Sequence, residues 1–279
     1  MSRSDVFITA AELSRMLAEG APVAILDVRW ELTAPDGRDA HERGHVPGAV
    51  YVSLDDELTD HSVGGRGRHP LPTGVAVQEA ARRWGLRDGV PTVVYDDWNR
   101  AGSARAWWVL TAAGIEDVRI LDGGLGAWTA GGGALESGPV TPPPGDVTVR
   151  FPDLYDGALP TLTADEVAGF AGVVLDARAP QRFRGETEPV DPVAGHIPGA
   201  ANVPSTSLLA ADGTLLPGPE LTGLLDRIGT EDVAVYCGSG VTAAVTVAAL
   251  RACDVDARLF PGSWSQWSAD PTRPVATGE

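Results

Sequence analysis

The sequence predicts an α/β protein built from two tandem domains of one fold, each a mostly parallel sheet covered by helices on both faces. Three observations carry that prediction. The chain is written twice: Ile8-Thr-Ala-Ala-Glu-Leu13 returns as Leu162-Thr-Ala-Asp-Glu-Val167, Ala24-Ile-Leu-Asp-Val-Arg29 as Val173-Val-Leu-Asp-Ala-Arg178, and Gly44-His-Val-Pro-Gly-Ala49 as Gly195-His-Ile-Pro-Gly-Ala200. Thr92–Tyr95 and Arg119–Trp128 likewise answer Val233–Tyr236 and Arg258–Trp267, and a period of roughly 140–150 residues is far too long for a solenoid unit. Short apolar runs alternate with helix-length segments, the pattern of a parallel sheet buried on both sides. Finally, 279 residues exceed the usual single-domain length and suffice for two cores.

In chain order, the first half reads as strands at Val23–Leu26, Val50–Val52, Thr92–Tyr95 and Val118–Leu121, each apolar almost throughout. Between them, Ala10–Glu19, Ala76–Trp84 and Ser103–Ala113 have the length of helices. Gly131–Gly145 is Gly-rich and then Pro-rich, the composition of a linker wrapping between two bodies. Residues 1–132 are therefore expected to form the first domain, 133–158 the linker and 159–279 the second domain.

Composition narrows the function. The formal net charge of −17 opposes binding to nucleic acid or to anionic membranes. All 21 basic residues are Arg, so an anionic substrate must be gripped by guanidinium forks or by backbone N–H groups. Two cysteines allow no disulfide framework, a structural zinc site is not expected, and a reducing compartment is the natural setting. No signal-peptide core and no run approaching about 20 apolar residues occurs, so a soluble, cytoplasmic protein is expected.

Cys237 is the focal residue. The apolar run Val233–Tyr236 ends on it, a small Gly-Ser-Gly loop follows, and a helix begins behind the loop. Such a turn aims N–H groups inward and adds the positive end of the helix dipole, so a thiolate nucleophile is expected at its centre. The alternative is a buried turn in which Cys is only a compact filler, the reading given to Cys253. At the position of Cys237 the first half carries Asp96 in a longer, bulkier loop, which is expected neither to do thiol chemistry nor to form the same cradle. That half reads as catalytically silent, a wall for the cleft. Because they recur in both halves, His45, His196 and the Asp27–Arg29 and Asp176–Arg178 pairs are expected to hold turns and strand ends. Residues present once are better candidates: Arg182 and Arg184, one of which is expected to face the sulfur, the alternative being two solvated arginines, and His69, in a Gly-rich loop able to reach across.

Together the duplicated blocks, Arg182-Phe-Arg-Gly-Glu-Thr-Glu-Pro189, the Cys237 loop and Gly262–Trp267 resemble the tandem-domain rhodanese family of thiosulfate and 3-mercaptopyruvate sulfurtransferases, over almost the whole chain. The resemblance implies two rhodanese-like domains with only the second active. It makes Cys237 the residue that carries sulfane sulfur as a persulfide, in ping-pong fashion. Gly238, Ser239, Gly240, Val241 and Thr242 become its cradle, and Arg182 the holder of the donor anion. It implies a small-molecule sulfur donor and a cyanide, thiol or thioredoxin-like acceptor, with no metal or cofactor.

The Cys-Gly-Ser-Gly-Val-Thr form of the loop tilts the donor towards 3-mercaptopyruvate over thiosulfate, while Val190 falls where such enzymes commonly place a second arginine, leaving the carboxylate to Arg182 alone or to Arg184. A Ser-His-Asp arrangement found in some of them maps onto Ser239, His69 and Asp55. Trp264 and Trp267 are expected at the cleft edge. A cysteine phosphatase is a poor rival, since Ala243 stands where its loop needs Arg. A non-catalytic sulfur carrier loaded by partner proteins is the alternative of another class.

Overall fold

The computed structural model describes residues 2–225 and 232–279. The first half runs α1 (Arg3–Val6), β1 (Phe7–Ile8), α2 (Ala10–Ala18), β2 (Ala24–Asp27), α3 (Arg38–Arg43), β3 (Val50–Tyr51), α4 (Leu54–Glu57), α5 (Gly74–Arg83), β4 (Thr92–Tyr95), α6 (Ala101–Ala112), β5 (Val118–Leu121) and α7 (Gly124–Ala130). The second half runs α8 (Ala164–Ala168), β6 (Val173–Asp176), α9 (Pro180–Phe183), β7 (Ala201–Asn202), α10 (Gly218–Leu225), β8 (Val233–Tyr236), α11 (Ala243–Ala252), β9 (Ala257–Leu259) and α12 (Ser263–Trp267). The first sheet has the order β1-β5-β4-β2-β3 and the second β7-β6-β8-β9, with parallel pairings throughout. A single parallel bridge from Thr161 to Leu259 stands where β1 pairs with β5 in the first half.

The repeat is visible in matched contacts. Asp27 pairs with Arg29 and Asp176 with Arg178, all four buried, and each arginine also donates to the carbonyl of the glycine opening the repeated Gly-His block, Gly44 or Gly195. Tyr95 and Tyr236 each accept from the backbone N–H following the histidine of that block, Val46 or Ile197, at 3.1 Å. The histidines themselves are buried and tied to carbonyls, His45 to His41 and His196 to Phe183 at 2.8 Å, so the duplicated residues brace the strand ends as expected.

Helix α6 is apolar around nearly its whole circumference because it is covered on both sides, by its own sheet and by α11 of the other half. These two helices join the halves into one core containing residues of both. The Gly/Pro-rich segment after α7 is strapped along the first domain: Glu136 pairs with His45, Gly145 donates to Arg82, Arg150 donates to Ala113, and Val147 is buried. Among the described residues no helix is long and apolar enough to cross a membrane.

Candidate active site

Strand β8 delivers Cys237 to the carboxyl edge of its sheet, and α11 starts six residues later. The start of the loop is pinned from behind: the Cys237 amide donates to Ser263 Oγ at 3.1 Å, while Trp264 and Ser265 donate to the carbonyls of Cys237 and Gly238. Of the five loop residues expected to cradle the sulfur, Gly240 is the one whose amide donates to Cys237 Sγ, at 3.2 Å, among the described residues. Cys237 is only 1% exposed, yet it lines a cavity of about 290 Å³ shared with Gly238, Ser239, Val241 and Thr242. Burial therefore coexists with an opening onto the residue. A larger cavity of about 620 Å³ lies behind the loop beside Tyr155 and Arg258 and does not reach the sulfur.

Arg182 lines the Cys237 cavity, held by Glu188 through Nε and Nη2 and by Asp191 through Nη2 at 3.2 Å. Arg184 does not line it, and pairs with Glu186 at the surface. Two residues of helical turn rotate a side chain by about 200°, so the arginines at either end of Arg182-Phe-Arg184 face opposite ways. Only the first of the two candidates meets the site. Val190 is 40% exposed, and no side chain at that place replaces a second arginine.

The N-terminal half contributes more than a wall. Its Trp30, Leu32, Arg68, Trp98 and Asn99 line the cavity, and His69 crosses to the loop, its Nδ1 lying 2.7 Å from Ser239 Oγ. On the other side of the ring His69 Nε2 lies 3.5 Å from Asp55 Oδ1, which also accepts from Trp30 Nε1 at 3.0 Å. Ser239, His69 and Asp55 are thus brought together in a row. Burial pushes the His69 imidazole down to about 3, and the positive charges of Arg105 and Arg68 push in the same direction. The ring is neutral at pH 7. With Nε2–H turned to the carboxylate, Nδ1 is left to accept the Ser239 hydroxyl proton.

Two residues that the sequence reading passed over complete the electrostatics. Arg68, directly before His69, donates through Nη1 to Asp191 at 2.7 Å and lines the cavity. Arg105, on α6, is fully buried and donates to the carbonyls of Leu58 and His69 at 3.0 Å, with a longer contact to Gly240 of the loop. Its burial lowers the guanidinium to about 10, and its nearness to Tyr155 and Cys237 acts against that shift. Adjacency to His69 was the available signal for Arg68; a lone Arg in an apolar helix was the signal for Arg105.

Two expectations are corrected. Trp264 and Trp267 are 0–1% exposed core residues whose indole nitrogens donate to the Val193 and Pro274 carbonyls, not cleft-edge residues: apolar area that large is best kept from water. The Asp96 loop, too, does form an anion cradle, with its own side chain inside. The carboxylate accepts from the amides of Trp98, Arg100 and Ser103 and from Ser103 Oγ, and pairs with Arg100 at 3.0 Å. The first half has filled the seat that Cys237 occupies in the second.

The rhodanese-like domain family matches the chain twice, over residues 9–131 and 161–270. A Mycobacterium tuberculosis protein provisionally named a thiosulfate sulfurtransferase is 63% identical over 281 residues, covering 99% of each chain. A Pseudomonas aeruginosa protein, provisionally named a 3-mercaptopyruvate sulfurtransferase, is 43% identical and covers 98% of each. The crystal structure of the Escherichia coli 3-mercaptopyruvate sulfurtransferase superposes with a TM-score of 0.79 at 33% identity, over 93% of this chain and 98% of that one.

Proposed function

The chain belongs to the rhodanese family as a tandem-domain sulfurtransferase, and on that premise we propose that Cys237 carries a sulfane sulfur from 3-mercaptopyruvate to a thiophilic acceptor. The observation that carries the choice of donor is the Ser239–His69 hydrogen bond at 2.7 Å beside Cys237: a thiol donor has a proton to move, and thiosulfate has none. The Cys237 thiolate attacks the donor sulfur, the C–S bond breaks, and the electron pair leaves on pyruvate as its enolate. Arg182 holds the carboxylate, and the Gly240 amide faces the sulfur as charge redistributes. Ser239 takes the donor's S–H proton while passing its own to Nδ1 of neutral His69, the reverse relay through Ser239 delivers a proton to the enolate carbon, and Asp55 orients the ring. Pyruvate departs and the persulfide remains. Cyanide, a small thiol or a reduced thioredoxin-like protein then attacks the outer sulfur, restoring Cys237 in the second half of a ping-pong cycle.

A second reading, thiosulfate as donor, is favoured by the name of the 63% identical relative. Intact-mass measurement after incubation with 3-mercaptopyruvate tests the proposal. A gain of one sulfur that is lost in Cys237→Ser supports it, and no gain refutes it. Comparing kcat/KM for the two donors, with cyanide as acceptor, decides between the readings. Loading without turnover to cyanide would mark a sulfur carrier. The two unpaired cysteines support a reducing, cytoplasmic setting.

A further inference from the structure

We propose that Arg68, from the N-terminal half, is the second arm of the donor-carboxylate site, closing with Arg182 over Gly238 from opposite domains. This rests on the sulfurtransferase reading above and adds to it a specificity residue supplied by the half that lacks the cysteine. The two guanidinium groups share one anchor: Arg68 Nη1 donates to Asp191 Oδ1 at 2.7 Å and Arg182 Nη2 to Asp191 Oδ2 at 3.2 Å. The side chain of Asp191 is buried and thus holds both arginines in a fixed relation. Each has a further arm beside the loop, in the cavity that Cys237 lines. A Cβ placed on Gly238 would lie 3.3 Å from Arg68 Nη2 and 3.5 Å from Arg182 Nη1, so both nitrogens flank one point above the residue that follows Cys237. Neither nitrogen has a hydrogen-bond partner among the described residues, and Arg68 Nε is likewise buried without one.

The loop carrying Arg68 is locked onto the other domain. Its amide donates to Ser265 Oγ at 3.0 Å, and Gly67, at φ +85°, approaches the Gly262 carbonyl so closely that a Cβ would lie 2.4 Å from it. Free donors aimed at one point from two rigid mounts suit a planar anion with two acceptor oxygens, each taking one N–H. The next residue, His69, reaches Ser239, so a single two-residue blade brings both the carboxylate's second partner and the proton acceptor across the domain boundary. The missing arginine near Val190 is made good from the other half of the chain.

The test compares 3-mercaptopyruvate with 1-mercaptopropan-2-one, which keeps the thiol and ketone and replaces the carboxylate by methyl. In Arg68→Ala, kcat/KM for the acid is expected to fall about 10- to 100-fold, mainly through KM, the loss of one hydrogen bond to a charged group. The neutral ketone is expected to lose far less, and Arg68→Lys to recover part of the acid's loss. An equal fall for both donors would make Arg68 a structural residue, and no fall for the acid would also overturn the proposal. Pyruvate titrated calorimetrically into Cys237→Ser, with and without Arg68→Ala, reads the carboxylate site with no sulfur transferred. Weaker pyruvate binding without Arg68 supports the two-arm site even if sulfur loading fails, in which case it is the donor assignment that falls. Equal affinity, or no binding at all, overturns it.

Discussion

The imidazole of His69, in the N-terminal half, lies 2.7 Å from the hydroxyl oxygen of Ser239, two residues past Cys237 in the C-terminal half. That contact makes the domain interface part of the site. A half with no thiol of its own then has a chemical reason to stay docked, beyond the apolar area that α6 and α11 bury against each other.

The histidine is expected to act as a neutral base. His69→Asn and Ser239→Ala should each lower kcat with 3-mercaptopyruvate by about 10²–10⁴, the usual worth of positioned proton transfer. Because burial holds the folded-state value near 3 against an ordinary 6.5, the rate should show no acid limb from His69 near pH 6.5. The same depression makes stability depend on pH. The folded state holds the His69 proton less tightly than the unfolded chain, so the contribution is complete above pH 6.5 and drains away as pH falls from 6.5 towards 3. Melting temperatures across that window should slope less in His69→Asn than in the unmodified protein, and parallel curves would contradict the assignment.

Much of this was legible in the sequence because it depends on local pattern. Thr92–Tyr95 and Val118–Leu121 end where expected, since strands covered on both faces are apolar almost throughout. Cys237 stood out through the strand, Gly loop and helix around it. Harder to read was whatever depends on a distant partner. Arg68 matters only because its loop is bolted to Ser265 and Gly262, some two hundred residues away. Gly/Pro composition marked the linker as irregular but not where its amides are satisfied, which is at α3 and the Gly-His block, then around the ends of α5 and α6. Trp264 and Trp267 sit beside the site in sequence, yet burial of their rings decided their place.

The filled seat in the first half should be a stability element. Asp96→Asn keeps the side chain's shape and removes its charge, leaving Arg100 buried without its ion-pair partner. Breaking a buried pair in this way costs about 3–5 kcal/mol, which would appear as a lower urea midpoint at unchanged slope. Asp96 touches no reacting atom, so the folded fraction should still load sulfur on Cys237. A variant that unfolds at the original midpoint would show that the loop amides alone hold the segment.

Two loop glycines flank Ser239 and should fail in different ways when given a methyl group. Gly240 lies at φ +79°, and a Cβ there would come 2.5 Å from the Pro261 carbonyl, an unyielding backbone atom. Gly240→Ala therefore has to move the loop, and the moved atom is the amide that faces Cys237 Sγ. Loss of one such donor typically lowers kcat by about 10²–10³. A methyl on Gly238 meets only the arms of Arg68 and Arg182, at 3.3 and 3.5 Å, and the ends of long side chains can give way. Gly238→Ala should therefore weaken donor binding while leaving the loading rate at saturation close to its original value. Quenched-flow mass measurement of the Cys237 persulfide separates the two, and a loading rate equally impaired in both variants would mean that the sulfur owes nothing specific to the Gly240 amide.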